Sequence, residues 1–105
     1  MNYMNRDLFQ RYAMEDSRPV LVAFCDSECG YCRRIQPALK RLADRRRGEL
    51  LVGVLDNAME PALFCSEQIE ALPTLVLYRQ GEVIGSIVGP DSGDAIEEFL
   101  EEVLL

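Results

Sequence analysis

The apolar positions change period several times along the chain, and each change marks an element. Leu8, Phe9, Tyr12 and Ala13 recur at helical spacing behind Asn5, a good N-cap. An amphipathic first helix is expected there, after a start with room for a minimal edge strand. Ser17-Arg18-Pro19 breaks the pattern, and Val20-Leu21-Val22-Ala23-Phe24-Cys25 follows as an unbroken apolar run rich in β formers. Such a run reads as a strand buried on both faces, hence central in a sheet. Beyond Asp26-Ser27-Glu28, Ile35, Leu39 and Leu42 line one face of a long helix from about Cys29 to Arg47. Arg34, Lys40, Arg41, Asp44 and Arg45 occupy its other faces, and Pro37 sits inside it, where a kink is expected.

Leu50 to Leu55 reads as a second buried strand, and Pro61 through Ile69 as a short helix started by the fixed φ of proline. Leu75 to Tyr78 and Val83 to Val88 make a hairpin about the turn signal Gln80-Gly81. Ala95, Ile96, Phe99, Leu100, Val103 and Leu104 then form the apolar face of a terminal helix starting at Ser92 or Asp94. Glu97, Glu98, Glu101 and Glu102 cover its outside as a solvated face. The order α-β-α-β-α-β-β-α predicts an α/β fold: a central mixed sheet of four to five strands with helices on both faces. No repeat or linker divides the chain, and 105 residues suffice for one core and not two, so residues 1–105 are read as a single domain.

Composition narrows the chemistry. With 49% apolar and 28% charged residues the chain belongs with globular proteins, and a formal charge of −7 excludes a nucleic-acid partner that depends on surplus cations. The run Arg45-Arg46-Arg47 is read as cations facing the negative end of the helix dipole. No apolar stretch is long enough to span a bilayer, so no membrane partner is expected. The first residues lack the apolar core of a signal peptide, so a reducing cytoplasm is the expected compartment. There is no histidine, so neither a Cys-His nor a Ser-His nucleophile pair is available, nor a His-containing zinc site. Whatever chemistry exists runs on thiols, carboxylates and backbone.

Four cysteines are present: Cys25, Cys29, Cys32 and Cys65. Cys29-Gly30-Tyr31-Cys32 falls at the junction of the central strand and the long helix. Cys29 at the helix N-terminus has unpaired N–H groups and the positive dipole end to stabilise a thiolate. Cys32, one turn on and less exposed, suits the role of resolving thiol after Cys29 forms a mixed disulfide. Asp26 and Glu28 oppose the thiolate and Arg33 and Arg34 favour it; the two carboxylates are expected to be solvated loop groups.

Beyond this motif, Pro37 lies within the helix, Leu72-Pro73-Thr74 follows downstream, and Gly81 and Gly89 fall in and after the terminal hairpin. With these features the chain resembles the thioredoxin superfamily over nearly its whole length. The resemblance implies the thioredoxin fold and a protein-disulfide reductase with Cys29 as nucleophile and Cys32 as resolving thiol. It also implies a cis Pro73, with Leu72, Pro73 and Thr74 receiving an extended substrate segment by backbone pairing. The implied partners are protein disulfides and a reductase or other electron donor, with no cofactor and no metal, and the chain is expected to be a monomer. The departures from the family pattern are specific. Glu28 stands where the family has tryptophan, Tyr31 where it has proline, Ala23 in place of a buried aspartate, Val54 in place of its lysine partner, and Cys25 in place of another tryptophan. The Cys-Gly-Tyr-Cys tetrapeptide resembles that of periplasmic disulfide isomerases.

Two other classes fit parts of the pattern. Cys25-x-x-x-Cys29-x-x-Cys32 has the iron–sulfur spacing of radical enzymes that cleave S-adenosylmethionine, but those need a far larger barrel. Cys65 could join the other three in a zinc or iron–sulfur site, although its spacing is not that of a second Cys-x-x-Cys. A thioredoxin-like adaptor without turnover also remains. Cys25 itself is expected in the core, as free cysteine usually is.

Overall fold

The computed structural model describes residues 2–104. Five strands form one sheet: β1 (Asn2–Tyr3), β2 (Val20–Cys25), β3 (Leu51–Asp56), β4 (Thr74–Arg79) and β5 (Glu82–Val88). Their order is β1-β3-β2-β4-β5, with β2 in the centre, as its unbroken apolar run requires. β2 pairs in parallel with β3, which pairs in parallel with β1, and β4 runs antiparallel to both β2 and β5. This is the mixed α/β sheet of a thioredoxin fold.

Alternate side chains of β2 feed two separate cores. Leu21, Ala23 and Cys25 face α2 (Gly30–Arg45) and α4 (Gly93–Leu104), meeting Cys32, Ile35, Leu39, Ile96 and Leu100. Val20, Val22 and Phe24 face the opposite way, toward the first helix and α3 (Pro61–Ser66). There Phe24 stacks edge-on between Phe9 and Phe64, at centroid distances of 6.4 and 5.1 Å. Both faces of the strand are therefore apolar for a definite reason, and each helix is fixed by the half of β2 that it covers.

The first helix starts where Asn5 predicts, with Asn5 Oδ1 accepting the Leu8 N–H at 2.8 Å. Only Arg6–Phe9 (α1) is α-helical; Gln10–Glu15 continues as a π-helix. The other boundaries shift slightly. Helix α2 stops at Arg45 and not Arg47, and α3 ends at Ser66 and not Ile69, because Gln68 adopts a positive φ of 58°. Ile69 still packs on the second core from outside the helix. The terminal helix begins at Gly93, with Ser92 Oγ accepting the Ala95 N–H at 3.1 Å.

One surface reading is corrected. Arg45 and Arg46 do not simply face the helix dipole, and Glu97 is not merely solvated: both guanidinium groups bind the Glu97 carboxylate, Arg46 at 3.1 Å. The two ion pairs tie the end of α2 to α4. Burial pushes the Glu97 carboxyl up, but hydrogen bonds from Arg46 and Arg45 outweigh it and hold the group below its ordinary value. A depressed folded-state value means that the stabilisation is present above the unfolded value and is lost as pH falls through the folded one. Arg45 is largely exposed, so solvent limits the clamp to about 1 kcal/mol or less. Glu97→Gln is expected to lower the thermal midpoint by a few degrees at pH 7. In melts repeated toward acid, the gap from the parent protein should close as Glu97 itself is protonated.

Candidate functional site

β2 ends at Cys25, and the loop from Asp26 to Cys29 carries the chain from the middle of the sheet to the start of α2. Its conformation is fixed by the Asp26 and Asp56 carboxylates and by the Asp26 main-chain carbonyl. Asp26 Oδ1 accepts the Glu28 N–H at 2.9 Å, and the Asp26 carbonyl accepts the Cys29 N–H at 2.9 Å. Asp56, at the end of β3, accepts the N–H groups of Ser27 (3.4 Å) and Ala58 (3.1 Å), pinning this loop to its neighbour. Glu28 is exposed, as expected, while Asp26 is half-buried and occupied with the turn.

Cys29 is the N-cap of α2, with extended backbone, and its Sγ accepts the Cys32 N–H at 3.3 Å. A sulfur has taken the place usually held by a serine or aspartate oxygen, and it satisfies one of the orphan donors of the helix. The Cys29 thiol is held below its ordinary value. The largest cause is the hydrogen bond from the Cys32 thiol, followed by the Cys32 N–H; burial and the Asp26 charge oppose them. Cys32 is completely buried, and burial pushes its thiol up, helped by the proton it shares toward Cys29. One thiol is thus prepared to ionise and the other to keep its proton.

Cys25, 2% exposed, packs in the same core as Cys32, and burial keeps its thiol protonated. Ala23 and Val54 are fully buried. The polar group that reaches Cys32 from β2 is therefore the Cys25 thiol, which partly offsets the upward push on Cys32. Cys65 is exposed on α3, outside the core that holds the other three cysteines. Among the described residues, no three His, Cys, Asp or Glu side chains gather in a way that could hold a metal ion.

The segment Leu72-Pro73-Thr74 reaches the same region. The Leu72–Pro73 peptide is cis, Pro73 is buried, and Leu72 packs against the core shared with Cys29 and Tyr31. Thr74 is buried, its hydroxyl donating to the Ala71 carbonyl at 2.6 Å. Tyr31 links the segment to the motif, a role that its place in the tetrapeptide does not reveal. Its hydroxyl donates to the Gly89 carbonyl at 2.7 Å, with the Pro90 carbonyl 3.0 Å away, and the Gly89 N–H donates to the Pro73 carbonyl at 2.8 Å. Gly89 has a φ of 56°, so the turn that makes both bonds favours glycine. Gly30 opens α2 with only the Arg33 and Arg34 side chains near its α-carbon face.

A family model for thioredoxin matches residues 1–102. The chain belongs to the thioredoxin family. It is 31% identical to a thioredoxin of Acidithiobacillus ferridurans over 102 residues, covering 97% of this chain and 94% of that protein. It is also 31% identical to a thioredoxin of Mycobacterium tuberculosis over 96 residues, covering 91% of this chain and 83% of that protein. A bifunctional thioredoxin reductase/thioredoxin of Mycobacterium leprae matches 87% of the chain at 31% identity, and there the chain spans only 20% of the relative's length. As a member of the thioredoxin family the chain is a thiol–disulfide oxidoreductase in general terms. No helix among the described residues is long and apolar enough to cross a membrane.

The state of Cys29 can be read directly. Its alkylation by iodoacetamide, followed by peptide mass, should have a pH midpoint below that of a cysteine in an unstructured peptide. Cys32→Ala removes the largest favourable partner and should move that midpoint upward. An unchanged midpoint in the variant contradicts the assignment.

Proposed function

We propose that the chain is a protein-disulfide reductase that maintains the redox state of client proteins, acting as a single-domain monomer. The observation that carries this reading is the pairing of a half-exposed Cys29 sulfur, fed by the α2 N-terminus, with a buried, protonated Cys32 one turn away. Cys29 is the nucleophile and Cys32 the resolving thiol. Gly30 and Tyr31 shape the helix start, and Leu72, Pro73 and Thr74 receive the substrate segment.

The reaction balances in two exchanges. Cys29 thiolate attacks one sulfur of the client disulfide; a Cys29–client disulfide forms, and the client's second sulfur leaves as a thiolate that takes a proton. Cys32 then gives up its proton and attacks the Cys29 sulfur, forming the Cys29–Cys32 disulfide and releasing the second client thiol. Two electrons pass from the protein dithiol to the client. A donor must return them. The Mycobacterium leprae relative is named as a reductase and a thioredoxin in one protein, and by that likeness the donor proposed here is a reductase.

Substrate binding draws on backbone more than side chains: an extended client strand beside Leu72 gains affinity from main-chain hydrogen bonds with little sequence selectivity. Electrons need no bound cofactor, since both redox sulfurs are the protein's own. We place the activity in the cytoplasm, where a reducing environment preserves thiols such as Cys25 and Cys65 that lie outside the exchange pair.

With dithiothreitol as electron source, the protein should reduce a disulfide-bonded protein such as insulin, and Cys29→Ser should abolish turnover. Cys32→Ser should instead accumulate a covalent Cys29–client adduct, visible on a non-reducing gel and dissolved by excess dithiol. An adaptor would bind its partner equally well with both cysteines replaced and show no turnover.

A further inference from the structure

The charge of this chain is divided sharply between its parts. Seven of the eleven cations lie between Arg33 and Arg47, with Asp44 the one carboxylate among them, whereas the rest of the chain carries seventeen carboxylates and four cations. Three of the seven are engaged at the far end of α2, where Arg45 and Arg46 bind Glu97 and Arg47 binds Asp44. Arg33, Arg34, Lys40 and Arg41 are exposed and make no ion pair among the described residues. These four are the cations nearest in sequence to Cys29 within α2.

Their spacing sorts them into two stripes. Arg33 and Lys40 are seven residues apart on one side of Pro37, and Arg34 and Arg41 are seven apart on the other, so each pair repeats after two turns. The Arg34–Arg41 stripe forms one wall of a groove of about 340 Å³ that begins at Tyr31, two residues on from Cys29. Ala38 lies between the two arginines, and Ser92 and Gly93 form the opposite wall. A Cβ at Gly93 would come within 3.4 Å of the Ala38 Cβ, so these two small residues let α4 start close against α2 at the groove's floor. Arg34 is held over the Tyr31 ring, 5.2 Å from its centroid, which fixes its charge close to the motif.

We propose that this cationic groove selects clients whose disulfide is followed by acidic residues in an extended segment. The proposal rests on the exchange reading given above and names the substrate class for that same site. Two turns of helix span about 10 Å, the length of roughly three residues of extended chain. A strand leaving the Cys29 sulfur past Tyr31 therefore brings its next few side chains under Arg34 and Arg41. Asp91 at the groove's α4 side repels anions there and leaves the favourable field along α2. A polyphosphate chain is disfavoured because it would also meet the seventeen carboxylates elsewhere, whereas a short acidic segment reaches α2 alone.

The test uses two synthetic peptides with one intramolecular disulfide each, identical except that three glutamates or three glutamines follow the second cysteine. With dithiothreitol as electron source and the uncatalysed rate subtracted, kcat/KM should be about tenfold higher for the glutamate peptide at low ionic strength. The preference should fade in 0.5 M NaCl, because the cations are exposed. In the Arg34→Gln/Arg41→Gln variant the ratio between the two peptides should drop toward one at low salt. Equal rates for both peptides, or a preference indifferent to salt and to the variant, overturn the charge selection while the exchange reading stands. If neither peptide is reduced, the exchange reading fails and the selection with it. A salt-sensitive dimer in sedimentation would assign these cations to the acidic face of a second copy and also overturn the proposal.

Discussion

The structure depends on one hydrogen bond between neighbours in sequence: the Cys32 N–H into the Cys29 sulfur at the first turn of α2. A helix start leaves N–H groups without partners, and here a sulfur supplies the acceptor. The bond caps the helix and, in the same act, stabilises negative charge on the sulfur proposed as the nucleophile. Stability and reactivity are therefore not in opposition at this position, since ionising Cys29 strengthens the cap that already holds it.

Everything around the cap serves to keep that sulfur where it is. β2 is buried on both faces, so its end cannot move, and Asp26 and Asp56 fasten the loop that follows it. From the other side, Tyr31 bonds the turn at Gly89, which bonds Pro73, so that three segments distant in sequence are joined by two hydrogen bonds. Ala23 stands where the thioredoxin pattern has a buried acid, and Cys25, two residues on, brings only a neutral thiol toward Cys32. A neutral group cannot take a proton as a carboxylate does, so in the cycle proposed above resolution by Cys32 leans on the change that follows reaction, when the Cys29 sulfur no longer needs its proton donor.

Much of this was legible in the sequence, for local reasons. The unbroken run from Val20 to Cys25 announced a central strand, Asn5 announced a helix start, and Cys29-Gly30-Tyr31-Cys32 between strand and helix marked two thiols that the fold brings together at the start of α2. What escaped depends on partners far along the chain. The Tyr31 hydroxyl meets a carbonyl 58 positions away, and Glu97 meets Arg45 and Arg46 from across a helix pair. No periodicity encodes such pairings, because either residue alone is an ordinary surface group. The π-helical stretch after Phe9 escaped for another reason: its apolar spacing at Tyr12 and Ala13 is equally compatible with a regular α-helix.

The cleanest trial of the account is to equilibrate the protein with graded mixtures of reduced and oxidised glutathione and map every disulfide by mass spectrometry. A single two-electron transition that joins Cys29 to Cys32, with Cys25 still a thiol throughout, is the predicted result. A stable glutathione adduct on Cys29 in place of that bond, or a disulfide joining Cys25 to Cys32, would contradict it.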